Sequence, residues 1–222
     1  MLRILSIDTT SEFGSVALVQ GGEVVWESLM HAPEGFGQML FGRIAAALES
    51  AGWPLGWIDC LAAASGPGSF TGVRVGLAAV KGLAEALGKP AVAVSNLEAV
   101  AWHGTAAMRA AVIDARRGQI YGAVYDAGLN VVSPEVVAAF PEWLRALPAG
   151  DVQLLSTDPG SFRAALAGTR FEQAGIGTAP RALAGAIGHI AGARLEAGRG
   201  ADPASLDANY VRRSDAELFW RE

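Results

Sequence analysis

A carboxylate and two hydroxyl groups follow a short apolar run near the start of the chain. Asp8, Thr9 and Thr10 come directly after residues 4–7, which have the pattern of a buried strand. A carboxylate at the end of such a strand can hold a magnesium-bound water beside a phosphate. The same three side chains also suit a turn in which they cap the backbone. These residues are therefore candidate phosphate contacts, with a purely structural turn as the open alternative.

A glycine-rich loop, GPGSFTG at residues 66–72, stands between a predicted strand and a predicted helix. Backbone N–H groups and the helix dipole at such a junction can hold an anion, which makes Ser69 and Thr71 candidate contacts. We expect Thr71 to be the helix N-cap. The loop lacks the lysine of a Walker loop, the third glycine of a dinucleotide fingerprint and the flanking glycines of a nucleophile elbow. Close helix–strand packing is the alternative use of its glycines.

Asp114 opens a similar junction in the second half of the chain, but bulky cations follow it. Arg116 and Arg117 stand where glycines would let the backbone approach a phosphate. The turn is therefore closed to a nucleotide or used differently. Its arginines could contact RNA phosphate or a partner carboxylate, and a solvated pair of loop side chains is the plainer alternative.

The histidines and the cysteine do not form the pattern of a metal site. His31, His103 and His189 are far apart, and none has a second histidine at the spacing that lets one helical turn hold a metal. Cys60 is the single cysteine, which excludes an intramolecular disulfide and a cysteine-based cluster. We expect no metal ligands, and a metallopeptidase would lack its ligands.

Composition and charge narrow the functional classes further. The 222 residues are 51% hydrophobic and carry a formal net charge of -5. Such a chain can bury a core but lacks the basic surface that captures nucleic acid broadly, so any RNA contact must be local or shared. We see no signal peptide and no apolar run that could span a membrane. We therefore expect no membrane contact and a cytoplasmic location.

Hydrophobic periodicity predicts alternating strands and helices, which indicates an α/β fold. Gly21 and Gly22 suit a tight hairpin turn, and Gly52 and Gly88 mark the ends of the first two predicted helices. Predicted strands cover residues 3–8, 13–20, 23–29, 58–64 and 91–94. Predicted helices cover residues 36–48, 71–87, 97–102, 141–147, 161–166 and 180–195.

The opening pattern recurs in the second half of the chain. Residues 111–114 end in an aspartate and precede strand patterns at 119–125 and 131–132, as residues 5–8 do in the first half. Such a repeat predicts two lobes of duplicated topology, each with its own sheet. We expect the first lobe to span residues 1–102. The second would span 103–222, including a polar C-terminal tail with a structured patch at 210–213.

Several sequence blocks, taken together and in order, resemble the TsaB (YeaZ) family. The most specific is GPGSFTGVRVG at residues 66–76. The others are ILSIDTTS at 4–11, VSNLE at 94–98, DAR at 114–116 and YVR at 210–212. The resemblance is convincing over residues 1–126. It implies a two-lobed α/β fold of the actin, Hsp70 and sugar-kinase (ASKHA) type, in agreement with the internal repeat.

The resemblance also implies a role in tRNA modification. TsaB proteins pair with TsaD, a catalytic paralogue, and with the ATPase TsaE. Together they transfer a threonylcarbamoyl group to the adenosine next to the anticodon of tRNAs that read codons beginning with A. The implied partners are thus a TsaD-like protein, a TsaE-like ATPase and tRNA through the complex, with a homodimer in isolation. ATP or ADP would lie at the complex boundary, with no cofactor bound by this chain alone.

Comparison of one motif with its counterpart in the catalytic paralogue implies which of the two subunits carries out the chemistry. The catalytic paralogue carries a His-Leu-Glu-Gly-His type metal motif, and the matching stretch here is NLEAV at residues 96–100. Valine cannot coordinate a cation, and asparagine is a poor substitute for imidazole. We therefore expect a non-catalytic scaffold that docks the catalytic subunit through apolar helical faces. The candidate interface residues are Phe36, Leu40, Phe41, Ile44, Leu48, Val73, Leu77 and Val80.

Two other functional classes stay open at this point. The fold and Asp8 suit an ATP-dependent, sugar-kinase-like or acetate-kinase-like phosphotransferase, which would bind nucleotide as an isolated chain. The second lobe, however, lacks the glycine turn that would hold the other phosphates. A peptidase would show chelator-sensitive proteolysis, and this chemistry needs the histidine pair that the chain lacks.

Overall fold

Two five-stranded sheets carry the fold of residues 1–212, the part of the chain that the computed structural model describes. The order across the first sheet is β3-β2-β1-β4-β5, with β1 antiparallel to β2 and parallel to β4. β4 is buried along its whole length, as its uninterrupted run of small and apolar residues predicts for a central strand. The strands of this sheet are β1 (Arg3–Asp8), β2 (Phe13–Gln20), β3 (Glu23–His31), β4 (Cys60–Gly66) and β5 (Ala91–Ser95).

The second sheet repeats the connectivity of the first. Its order is β10-β9-β6-β7-β8, with β6 antiparallel to β7 and parallel to β9. The predicted duplication of topology in an α/β fold is confirmed. Sequence periodicity missed β9 and β10, because they have only five and two residues and show no clear alternation. The strands are β6 (Met108–Asp114), β7 (Gln119–Asp126), β8 (Val131–Ala139), β9 (Val152–Ser156) and β10 (Gly177–Thr178).

The helices follow the predictions with a few differences. Gly52 and Gly88 end the first two helices in the left-handed conformation, with φ of 66° and 62°. The first helix begins at Leu40 rather than Phe36, and Pro159–Leu166 forms a 3-10 helix rather than an α-helix. The α-helices are α1 (Leu40–Ala51), α2 (Phe70–Leu87), α3 (Asn96–Trp102), α4 (Phe140–Ala146) and α5 (Ala184–Glu196).

Most of the candidate interface residues are core residues instead. They pack with the strands of the first sheet and are no more than 5% exposed. The apolar stripes of α1 and α2 cover their own sheet, which is the usual reason for helical periodicity. Leu48 is partly buried against the same cluster, whereas Phe41 is 57% exposed. The prediction of a docking face was therefore wrong for Phe36, Leu40, Ile44, Val73, Leu77 and Val80.

The two compact units differ from the expected lobes. The first comprises Met1–Asn96 together with Arg181–Asn209, and the second comprises Leu97–Pro180 with residues 210–212. The expected patch at 210–213 is described only to Arg212, and the rest of the tail, residues 213–222, lies outside the described part.

Side chains of the first sheet attach α5 to the first unit. Ser15 Oγ accepts hydrogen bonds from the N–H groups of Leu183 and Ala184 at 3.0 and 2.9 Å. Glu27 Oε1 accepts from Gly185 N at 2.7 Å. These side chains satisfy N–H groups at the start of α5 that have no partner within the helix. The helix therefore belongs with the first sheet, although the sequence places it after the second.

None of the helices formed by residues 1–212 combines the length and apolarity needed to cross a membrane.

Candidate functional site

The carboxyl end of β1, the loop before α2 and the start of α3 bring together the polar residues of the first unit. Asp8 Oδ1 accepts hydrogen bonds from Thr10 N at 2.9 Å and Thr10 Oγ1 at 2.7 Å. Asn96 Nδ2 donates to Thr10 Oγ1 at 2.7 Å and to Asp8 Oδ1 at 3.3 Å. Gly66 N donates to Asn96 Oδ1 at 3.1 Å. Asp8, Thr10 and Asn96 thus form one hydrogen-bonded network, and Asn96 is the member that sequence spacing did not single out as a partner of Asp8.

The Asp8 carboxyl group is buried within this network, with 2% of its residue surface exposed. Burial raises its pKa above the ordinary value of 3.8, and the hydrogen bonds from Thr10 and Asn96 only partly oppose that shift. A buried carboxyl group with a shifted pKa is a common feature of functional sites and of structural networks alike. Here Oδ1 is engaged by three donors of the chain itself, which favours the structural turn over an open magnesium site.

We expect Asp8→Asn to raise the free energy of unfolding at neutral pH. Because its pKa is raised, the folded chain binds the Asp8 proton more tightly than the unfolded chain, so stability falls as the pH rises from 3.8 through the higher folded-state pKa. The amide oxygen of Asn can still accept from Thr10. The gain should be largest at neutral pH and shrink toward pH 3.8, as urea denaturation at several pH values would measure. A variant less stable than the wild type at neutral pH would contradict this expectation.

Two N–H groups of the glycine-rich loop donate within the chain. Ser69, rather than the expected Thr71, is the N-cap of α2, and its Oγ accepts from Gly72 N at 3.3 Å. Ser69 N itself donates to Thr10 O at 2.6 Å. Thr71 lies exposed in the first turn of the helix. The N–H groups of Ser69 and Gly72 are therefore already satisfied by the chain, and the structure supports the packing interpretation of this loop.

The glycines of this segment allow the start of α2 to lie directly on the β1–β2 turn. A Cβ on Gly68 would stand 2.4 Å from Thr10 O, and one on Gly72 would stand 2.0 Å from Thr9 O. Thr9 Oγ1 closes the contact by donating to Gly72 O at 2.7 Å. Gly76, one turn further, would place a Cβ 2.7 Å from Thr9 Oγ1. The four-residue spacing of Gly72 and Gly76 is the sequence signal for this contact, because it puts both on one face of α2, while Gly68 precedes the helix.

The residues that match the metal motif of the catalytic paralogue do not fit a metal. Asn96 is buried with both ends of its amide hydrogen-bonded in the chain, and Val100 is fully buried and apolar. Within residues 1–212 no group of three or more His, Cys, Asp or Glu side chains could hold a metal ion. The histidines have other surroundings: the His31 ring stacks on Phe13 at 4.5 Å between centroids.

Comparison with known proteins identifies similar chains. The family model described as TsaD, tRNA N6-adenosine threonylcarbamoyltransferase, matches residues 33–194. The tRNA threonylcarbamoyladenosine biosynthesis protein TsaB of Bacillus subtilis (strain 168) is 30% identical over 234 residues, covering 100% of this chain and 99% of that protein. The TsaB of Escherichia coli (strain K12) is 37% identical over 150 residues, which are 61% of this chain and 64% of that protein.

A solved structure gives the same answer at the level of the fold. YeaZ from Pseudomonas aeruginosa superposes with a TM-score of 0.77 at 28% identity, covering 95% of this chain and 100% of that one. The similarity thus extends over nearly the whole chain, including the part beyond residue 126 in which sequence blocks are sparse.

Proposed function

We propose that this chain, which belongs to the TsaB family of tRNA threonylcarbamoyladenosine biosynthesis proteins, is the non-catalytic partner subunit of a threonylcarbamoyl transferase complex. The acceptor is the adenosine next to the anticodon of tRNAs that read codons beginning with A. The catalytic subunit is a TsaD-like paralogue, which this chain holds in its active arrangement. A TsaE-like ATPase completes the complex, and the place of action is the cytoplasm.

The environment of Asn96 carries this proposal. A metal-binding side chain needs a lone pair directed at the ion, and an amide whose oxygen accepts from Gly66 N at 3.1 Å and whose nitrogen donates to Thr10 Oγ1 at 2.7 Å is committed to the fold. Val100, at the second ligand position of the motif, offers only methyl groups. The chain therefore contributes to the reaction through its surface rather than through a metal centre of its own.

The exposed side of α1 is our candidate for that surface. Among the interface candidates Phe41 is the one that is clearly exposed, at 57%. A large aromatic side chain of this kind suits an anchor in a protein–protein interface. In the absence of the catalytic subunit the same side would pair two copies of this chain. Any ATP or ADP would then lie at the boundary of the assembled complex, with none bound by this chain alone.

Reconstitution tests the proposal. Omitting this chain from a mixture of the TsaD-like and TsaE-like proteins, tRNA, ATP and the other substrates should reduce threonylcarbamoyl transfer by at least about 100-fold, the loss typical of a misplaced catalytic constellation. Mass spectrometry of nucleosides from the tRNA measures the product. Full activity without this chain would refute the partner role.

The phosphotransferase alternative has one observation in its favour, the buried Asp8 at the end of β1. The same reconstitution separates it from the partner role, because the purified chain alone should neither bind nor hydrolyse ATP. Phosphoryl transfer by the isolated chain that is lost in Asp8→Asn would establish the alternative instead.

A further inference from the structure

The turn between β6 and β7 holds two arginines in the left-handed backbone region. Arg116 has a φ of 65° and Arg117 a φ of 56°, and Gly118 follows at 73°. A side chain with a Cβ is unfavourable there, so glycine, asparagine or aspartate usually fills such turns. The β2–β3 turn of this chain does so with Gly21 and Gly22, at φ of 58° and 88°. Glycines in place of Arg116 and Arg117 would remove the backbone strain of the β6–β7 turn. The presence of arginines there despite the strain indicates that their side chains have a function.

Hydrogen bonds hold the backbone of the β6–β7 turn in place. Asp114 Oδ1 accepts from Arg116 N at 2.8 Å, and Gln119 N donates to Arg116 O at 3.1 Å. A third guanidinium supports the base of the turn: Arg212 donates from Nη1 to Ala115 O at 2.9 Å and from Nη2 to Gln119 Oε1. All of these residues belong to the second unit. The backbone that presents Arg116 and Arg117 is therefore fixed before any ligand binds.

The β6–β7 turn is charged and exposed, and its charge distinguishes it from another residue with a positive φ, Leu129. Leu129 also has a positive φ, of 60°, but its side chain carries no charge. The Arg116 side chain is 81% exposed, and its ion pair with Asp114 has an Nη1–Oδ2 distance of 4.0 Å. An exposed pair at that distance contributes little, so the guanidinium can engage another anion. In a chain of net charge -5, such a local cationic turn directs an anion to one place.

We propose that the β6–β7 turn is a phosphate-contacting site, at which Arg116 and Arg117 engage the RNA backbone while Arg212 braces the turn. The inference rests on the proposed function, which supplies tRNA as the source of phosphate. A planar guanidinium binds a phosphate through two parallel hydrogen bonds. An interface with a partner protein usually has an apolar centre. Residues 115–118 are Ala-Arg-Arg-Gly and provide no large hydrophobic side chain for such a centre. Phosphate contact needs no such centre.

The test uses the full chain with Arg116→Gln and Arg117→Gln together, assembled with its TsaD-like and TsaE-like partners. With an unmodified tRNA that reads codons beginning with A, the KM for tRNA should rise about tenfold or more at unchanged kcat, since charge-assisted hydrogen bonds are lost. The slope of log affinity against log salt should flatten by about one to two, the value for one or two lost phosphate contacts. Arg163→Gln with Arg199→Gln removes the same charge at exposed positions outside the turn and should leave both quantities unchanged.

Two further measurements distinguish a phosphate site from a turn with a purely structural role and from a contact with a partner protein. Arg116→Gly with Arg117→Gly should unfold at a higher temperature than the wild type and still show the same rise in KM, because strain and cations are removed together. Weaker binding of the TsaD-like subunit with unaltered tRNA affinity would assign the turn to a partner carboxylate and overturn the phosphate site. An unaltered KM and salt slope would also overturn it, while the requirement for the wild-type chain in reconstitution would still stand as the test of the proposed function.

Discussion

Replacing Phe41 with glutamate should abolish tRNA modification by the reconstituted complex and leave this chain folded, whereas the same change at its neighbour Leu40 should unfold the first unit. Leu40 is 1% exposed and packs in the core beneath α1, while Phe41 is 57% exposed. A buried glutamate without a partner costs on the order of 4 kcal/mol or more, but an exposed one stays within about 0.5 kcal/mol of the wild type. Thermal denaturation and co-purification with the TsaD-like subunit measure the two effects.

A third variant of α1 controls for the added charge. Ser50 is exposed, and its position nine residues after Phe41 puts it on the opposite side of the helix. Ser50→Glu should therefore preserve both the fold and the binding of the TsaD-like subunit. If Phe41→Glu also preserves binding and activity, the docking surface does not include α1, and the partner role would need another face.

The apolar stripes of α1 and α2 predict the helices correctly but do not predict what the helices pack against. Periodicity placed α1 and α2 correctly because a helix that covers a sheet must repeat its apolar residues every three or four positions. The same periodicity cannot say whether the stripe faces the chain's own sheet or another protein, since both burials need identical side chains. By their sequence pattern Leu40, Ile44 and Val73 suit an interface equally well, and in the structure they are core residues. Phe41 stands beside the stripe, and only the structure shows that its ring is exposed.

The sequence predicts most of the individual residues of the candidate site but not the hydrogen bonds that join them. Asp8, Thr10 and the loop at 66–72 stand out because aspartates, hydroxyls and glycines cluster where predicted strands end. The contact between Asn96 and Asp8 spans 88 residues of sequence, and such a contact follows from the parallel pairing of β4 with β1 and β5 rather than from local spacing. The N-cap is Ser69 rather than Thr71, and the N–H of the same Ser69 donates to Thr10 O in the β1–β2 turn. Tertiary contacts thus decided what local propensity left open.

Gly72→Ala should destabilise the chain by about 3 kcal/mol or more, the upper range for overpacking a site that cannot relax. The added methyl group would stand 2.0 Å from Thr9 O and 3.1 Å from Thr9 C, both of which are backbone atoms. No side chain can rotate away to make room, so α2 must move off the β1–β2 turn. That movement would break the hydrogen bond from Thr9 Oγ1 to Gly72 O, which is 2.7 Å long.

Gly82→Ala, the identical change three turns further along α2, should have the opposite sign. Apart from the adjoining backbone of the helix itself, no atom lies within 4 Å of a Cβ built on Gly82, and this residue is exposed in the middle of α2. Alanine should therefore stabilise the helix by about 0.8 to 1 kcal/mol relative to glycine. Urea denaturation of the two variants beside the wild type measures both signs in one experiment. A Gly72→Ala chain as stable as the wild type would mean that the β1–β2 turn can separate from α2 at little cost. The loop at 66–72 would then have room to open to an anion, and the packing interpretation of this loop would fail.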